Sequence, residues 1–279
     1  MPVNRALWCN RVVAHRWLIP TGKRVALAQI DPASTEGAPG GREETVAAFP
    51  KLHDEQLALQ ARLWAEGKRS LLVVLQGMDA SGKDGAISHV FKGVNPQATR
   101  AVAFKQPSHE ELAHDFLWRV HRRTPAAGET AIFNRSHYED VLIARVHRLV
   151  PDKVWKARYR TITEFERGLT GAGTTIVKVF LHISRSEQLD RFRARLDDPT
   201  KRWKFNTGDL DERKLWDDYM RAYEDALSKT STDFAPWCVV PADHKWYRNW
   251  AISRIVIDTL REMDPHFPKA RGLDGIELA

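Results

Sequence analysis

At 279 residues, 43% hydrophobic and 28% charged, the chain can bury a full core and is too ordinary in composition to be fibrous or disordered. Its formal net charge of +7 favours an anionic partner, whether polyphosphate, nucleotide or nucleic acid. Two cysteines, Cys9 and Cys238, suggest no disulfide framework, and no apolar run approaches membrane-spanning length, so a cytoplasmic protein is expected.

Residues 1–42 read as a basic N-terminal arm, carrying Trp8 and Trp17, followed by a Pro/Gly loop. Phe49–Glu66 places Leu52, Leu59 and Leu63 at helical spacing. Leu71–Gln76 is almost wholly apolar and reads as a strand buried on both faces. The pattern G-x-x-x-x-G-K follows at once, from Gly77 to Lys83, and Asp84–Gly93 reads as a helix. Strand, glycine-rich turn and helix start together make a phosphate cradle: backbone N–H groups curl inward and the helix N-terminus adds partial positive charge. Gly77, Ala80, Ser81, Gly82 and Lys83 are its expected phosphate ligands. Asp84 stands where P-loops commonly carry Ser or Thr, and Asp79 lies inside the loop. Two carboxylates in a phosphate cradle point to Mg²⁺ between them, although Asp84 alone could serve as a first-turn helix acid.

Arg100–Phe104 reads as the second strand, with Lys105 just beyond it as a further phosphate contact. Ser108 and Glu111 have capping-box spacing and open a helix expected to run to about His121. Thr130–Asn134 is the third strand. It ends in Asn134 and Arg135, an arginine suited to phosphate or to an ion pair. A helix is expected from Ser136, where Ser136 and Glu139 again have capping-box spacing. Trp155–Leu169 (helix), Thr175–Ile183 (strand), Ser186–Leu196 and Asp211–Lys229 (helices), Trp237–Val240 (strand) and Lys245–Met263 (helix) complete the pattern. On Ser186–Leu196, Leu189, Phe192 and Leu196 mark an apolar side, and Arg191 and Arg195 a basic one. That basic side is either a solvated face or, opposite a phosphate cradle, a source of positive charge for phosphoryl transfer, with Lys201 and Lys204 following it. Helical connections between all strands predict a three-layer α/β/α fold of P-loop kinase type, with a parallel sheet of about five strands and a helical lid. The histidines lack zinc-site spacing, so no zinc centre is expected.

The segments GMDASGKDG, KQPS, HDFLWRVH, FNRSHYEDVL, RFRARLDDPTKRWKF and PADHKWYRN, in that order from about Arg24 to Met263, resemble the polyphosphate kinase 2 family. FNRSHYEDVL is similar to the family's third class, in which a glutamate at the position of Glu139 accompanies use of both AMP and ADP. The resemblance implies transfer of a phosphoryl group from inorganic polyphosphate to AMP or ADP with Mg²⁺, and a homo-oligomer, tetramer or dimer. Lys83, Arg135, Glu139, Arg191 and Arg195 are then the expected catalytic set, with Asp79 and Asp84 at the metal. The expected layout is a kinase domain over 43–265, a lid at 185–213 and a tail at 266–279. The rivals are an ATP-dependent nucleoside monophosphate kinase and a non-catalytic P-loop protein that binds nucleic acid. The reading taken here involves no nucleic acid and no membrane.

Overall fold

The computed structural model describes residues 16–269. The parts of the expected arm at 1–15 and of the expected tail at 270–279, with Trp8 and Cys9, lie outside the described residues. A six-stranded sheet has the order β1-β6-β5-β2-β4-β3. Its strands are β1 (Leu18–Ile19), β2 (Ser70–Gln76), β3 (Thr99–Ala103), β4 (Thr130–Asn134), β5 (Thr174–His182) and β6 (Trp237–Pro241). All neighbours run parallel except β1, which pairs antiparallel with β6. All seven residues of β2 are buried. A strand apolar on both faces belongs in the middle of a sheet covered by helices on both sides, and β2 lies between β5 and β4.

The helices are α1 (Arg42–Glu66), α2 (Lys83–Val90), α3 (His109–Leu112), α4 (Trp118–His121), α5 (Ile143–Val146), α6 (Asp152–Gly171), α7 (Arg185–Asp197), α8 (Gly208–Lys214), α9 (Trp216–Thr230) and α10 (Lys245–Met263). α10 packs on α1, α2, β5 and β6, whereas α6 packs on α9 and β5. Among the described residues no helix is long and apolar enough to cross a membrane.

Several details differ from expectation, among them the helix expected over Asp211–Lys229, which is split at Leu215 into α8 and α9. The sheet has six strands, because Leu18–Ile19 of the expected arm adds an antiparallel edge. Ordered packing therefore begins before Arg24, with Trp17 only 4% exposed and its indole N–H donating to the Tyr247 hydroxyl. The helix expected from Ser108 to His121 is broken into α3 and α4. Its capping box does form, but the Asp115 carboxylate accepts from the Leu117 N–H at 3.0 Å and turns the chain between the two helices. The segment after Ser136 is a 3₁₀ turn over His137–Asp140, with α5 only beyond it.

Candidate active site

The register of the sheet sets the site. Leu75 of β2 lies opposite Asn134 of β4, so the phosphate loop and Arg135 leave the carboxyl ends of adjacent strands together. The Arg135 N–H donates to the Leu75 carbonyl at 3.0 Å.

A tight, buried loop keeps its shape only if its carbonyls find donors. Here they do. The Lys83 ammonium donates to the carbonyls of Gly77 (2.7 Å) and Met78 (3.2 Å). The Gln188 amide donates to Asp79 O, and the Arg191 guanidinium to Ala80 O and Ser81 O at 2.9 and 2.8 Å. The Gly82 carbonyl accepts from Ala86 inside α2. The Ser81 hydroxyl is fully buried and has no hydrogen-bond partner, a polar atom waiting at the loop.

Gly82 caps α2 in the left-handed region (φ 96°), and the Arg248 guanidinium packs directly against it. At Gly77 a Cβ would stand 2.7 Å from Ser81 Oγ and 2.8 Å from the Leu181 carbonyl. The latter is backbone of β5 and cannot swing aside. Gly77→Ala is therefore expected to cost about 1–3 kcal/mol of stability and to raise the KM for the phosphate donor. Thermal melts and donor titrations read the two effects.

Around this cradle stand the expected charges. Arg135, itself at φ 63°, donates to the Asp79 carboxylate at 2.6 Å. The Asn134 amide donates to the Asp84 carboxylate. Burial pushes the Lys83 pKa down to about 8, with Arg135 adding to the effect and Asp79, Glu139 and Asp84 opposing it. Burial pushes the Glu139 carboxyl up, against the pull of Arg135, Lys83 and a hydrogen bond from Gln76. Burial also works against the Arg135 charge, but Glu139 and Asp79 outweigh it and its pKa is raised. Lys83, Arg135, Glu139, Asp79 and Asp84 thus form one electrostatic cluster. Glu139 does not close a capping box. The Ser136 hydroxyl accepts from Tyr138 N–H, and the Glu139 N–H goes to the Ser136 carbonyl.

Arg191 is not on an exposed basic face. It is 7% exposed, and besides Ala80 and Ser81 it donates to the carbonyls of Ala242 and Asp243 and to the Glu187 carboxylate. Leu196, assigned to the apolar side, is 43% exposed, whereas Gln188 and Phe192 are buried. The buried stripe of α7 is thus Gln188, Arg191 and Phe192. Arg195 is partly exposed, 3.7 Å from Asp209 of α8. Lys201 pairs with Asp198, Lys204 lies over the Trp203 ring, and Lys105 is exposed past β3 with its carbonyl taken by Arg119.

Several site residues escaped the sequence reading. Gln76 ends β2 and donates to the Ser136 hydroxyl at 3.1 Å. Tyr223 of α9 is raised well above the ordinary phenol range by burial and then by Glu139. Burial and Asp79 push the Asp209 carboxyl up. Arg248 is 3% exposed, and burial with Arg191 beside it lowers its pKa to about 10. A polar residue on an otherwise buried helical stripe, as with Gln188, was the one available signal.

A hard divalent cation fits this donor set. Asp79 and Asp84 offer carboxylate oxygens at the cradle, and such ions in phosphoryl-transfer sites take one or two carboxylates with the rest from phosphate and water. Among the described residues there is no cluster of three or more His, Cys, Asp and Glu suited to an all-protein metal site.

A parallel α/β sheet with a glycine-rich loop, a buried lysine and flanking carboxylates at its carboxyl edge defines a P-loop phosphotransferase. The family model described as polyphosphate kinase 2 matches residues 41–268. The chain belongs to the polyphosphate kinase 2 family. It is 52% identical over 246 residues to an AMP/ADP-polyphosphate phosphotransferase of Meiothermus ruber, covering 88% of this chain and 92% of that one. It is 46% identical over 223 residues to an ADP-polyphosphate phosphotransferase of Rhodopseudomonas palustris, covering 76% and 77%. The crystal structure of polyphosphate kinase 2 from Arthrobacter aurescens superposes with a TM-score of 0.90 at 46% identity, covering 94% of this chain and 93% of that one.

Proposed function

We propose that this enzyme, a polyphosphate-dependent nucleotide kinase, moves the terminal phosphoryl group of inorganic polyphosphate to AMP and to ADP. The observation that carries this reading is the cradle itself, where Lys83 bonds the loop carbonyls, Arg135 the Asp79 carboxylate and Asn134 the Asp84 carboxylate. The attacking group is a phosphate oxygen of the acceptor, anionic at neutral pH, so no strong general base is required. Alignment and charge neutralisation carry the reaction. The inward N–H groups and Lys83 hold phosphate at the cradle. Arg135, and Arg195 from the lid side, supply neutralising charge. Arg191 acts on the loop from behind. Asp79 and Asp84 would hold Mg²⁺, which supplies positive charge shared between phosphate oxygens. Basic side chains along the lid, Lys201 and Lys204, with Lys105 on the other side, would track a donor that has charge but no sequence. The working form is a cytoplasmic homo-oligomer.

The assay is AMP and Mg²⁺ with either polyphosphate or ATP as sole donor, followed by separation of the nucleotides. ADP and then ATP are expected with polyphosphate. Turnover with ATP and none with polyphosphate would replace this reading by an adenylate-kinase-like one.

Three substitutions probe the site. Asp79→Asn and Asp84→Asn should each raise the Mg²⁺ concentration for half-maximal rate. Mutants that match wild type throughout a Mg²⁺ titration would take the metal away from these carboxylates. Glu139→Asn should depress AMP phosphorylation more than ADP phosphorylation. AMP ends one phosphate sooner, so its reactive oxygen falls short of the donor unless the acceptor is drawn in, and Glu139, on the turn that follows Arg135, is the carboxylate assigned to that task. Equal losses on both acceptors would remove Glu139 from acceptor choice.

A further inference from the structure

Behind the site, on the α6 and α9 side of the sheet, lies a set of buried polar groups with no part in holding phosphate. His137, Tyr138, Glu166 and Lys178 are all 0% exposed. Lys178 sits in the middle of β5, opposite Val74 of β2 on one side and Trp237 of β6 on the other. Its ammonium donates to the Glu166 carboxylate at 2.6 Å, to the Thr230 carbonyl at 2.8 Å and to the Tyr138 hydroxyl at 3.0 Å. The Tyr138 hydroxyl donates to the other Glu166 oxygen at 2.8 Å, and His137 Nε2 lies 3.2 Å from that same oxygen. Burial works against the Glu166 charge, yet Lys178 and His137 outweigh it and hold the carboxyl below its ordinary range.

A buried ion pair is a poor device for stability. Its desolvation cost offsets its attraction, and an apolar pair of similar volume commonly does as well or better. What it does well is fix one arrangement. Two of its four members, His137 and Tyr138, belong to the 3₁₀ turn His137–Asp140 that carries Glu139. The same turn is held at its far end by Arg158, which donates to the Asp140 carbonyl and carboxylate at 3.0 and 3.1 Å. At its near end are the Ser136 hydroxyl, bonded to Gln76, and Arg135 in the left-handed region, a conformation that persists only when its surroundings impose it.

We infer that the Glu166–Lys178 pair, acting through Tyr138 and His137, is a positioning network that holds the 135–140 turn so that Glu139 and Arg135 face the cradle, and that it thereby sets the enzyme's ability to use the shorter acceptor. The inference rests on the acceptor reading of Glu139 above.

The test uses the full-length protein and two variants. Glu166→Leu with Lys178→Met removes both charges and leaves no buried ion unpaired. Tyr138→Phe removes only the hydroxyl shared by the two. Calorimetric affinities for AMP and for ADP read the acceptor site whichever donor the enzyme uses, and kcat and KM with polyphosphate read the reaction. In both variants AMP affinity and kcat on AMP should fall, by about tenfold in the double variant. The ADP values and the KM for polyphosphate should change by less than about threefold. A merely structural role would lower the folded fraction and scale both acceptors alike. Folded variants with the wild-type AMP-to-ADP ratio would overturn the inference. So would an unfolded double variant accompanied by a Tyr138→Phe protein of unchanged ratio. Failure of the wild type to use polyphosphate would overturn the donor assignment and leave the AMP and ADP affinities to decide the network.

Discussion

Lys83→Ala is expected to lower kcat/KM by a hundredfold or more, on the order of 3 kcal/mol or above, while the protein stays folded. Lys83 is 8% exposed, and its ammonium donates to the carbonyls of Gly77 and Met78. Removing it leaves Asp79 paired with Arg135, Glu139 still under the pull of Arg135, and the Met78 carbonyl still bonded to the Ser81 N–H. What is lost is the cation that the glycine-rich segment 77–83 itself carries. The pH dependence carries the same signature. A lysine depressed to about 8 is protonated below that value and neutral above it. In free wild-type enzyme kcat/KM for the phosphate donor should therefore decline as pH rises through about 8, whereas a bound anion pulls the pKa upward and moves the decline in kcat to higher pH. The alanine variant should lack the inflection. Near-normal turnover in a folded Lys83→Ala protein would dissociate the loop from catalysis.

Arg191→Ala should do something different: unfold or strongly loosen the protein, with a loss of about 3–5 kcal/mol. The guanidinium donates to four main-chain carbonyls, two on the phosphate loop and two on the turn between β6 and α10, and to Glu187. Leaving buried carbonyls without donors costs about 1–3 kcal/mol each before relaxation. Arg191→Lys should rescue little, since an ammonium cannot span two pairs of acceptors as a planar fork does. Thermal melts check the stability loss. Specific activity of the residual folded fraction should also fall, because the Ala80 and Ser81 carbonyls lose the donors that hold the phosphate loop in place. An Arg191→Ala protein that melts like wild type but turns over slowly would return the residue to the role of an exposed phosphate contact.

That reversal shows where the sequence was legible. The central strand could be read because a β-strand buried on both faces has no polar alternation, and the cradle because its glycines, lysine and flanking elements are contiguous in the chain. Arg191 could not be placed the same way. Helical spacing assigns a residue to a face of α7, but a charged face is normally solvated. Only the three-dimensional loop reveals that outward carbonyls need donors there. Gln188 and Arg248 were missed for the same reason, their partners lying 109 and 167 positions away. Capping-box spacing was right at Ser108–Glu111 and wrong at Ser136–Glu139. The second segment is a 3₁₀ turn in which the serine hydroxyl meets the Tyr138 N–H, so Glu139 takes no part in a cap. The β1 edge, two residues long, is too short for any periodicity to register.

The most direct measurement of the account's central claim follows the phosphorus itself. Polyphosphate radiolabelled along its chain is incubated with unlabelled ADP, Mg²⁺ and the purified enzyme, with a chelator as control, and the nucleotides are separated. Label should appear in the terminal phosphate of ATP, in step with shortening of the polymer, and should vanish with the chelator. Label released only as inorganic phosphate, or a polymer left intact with no label in the nucleotides, would contradict it.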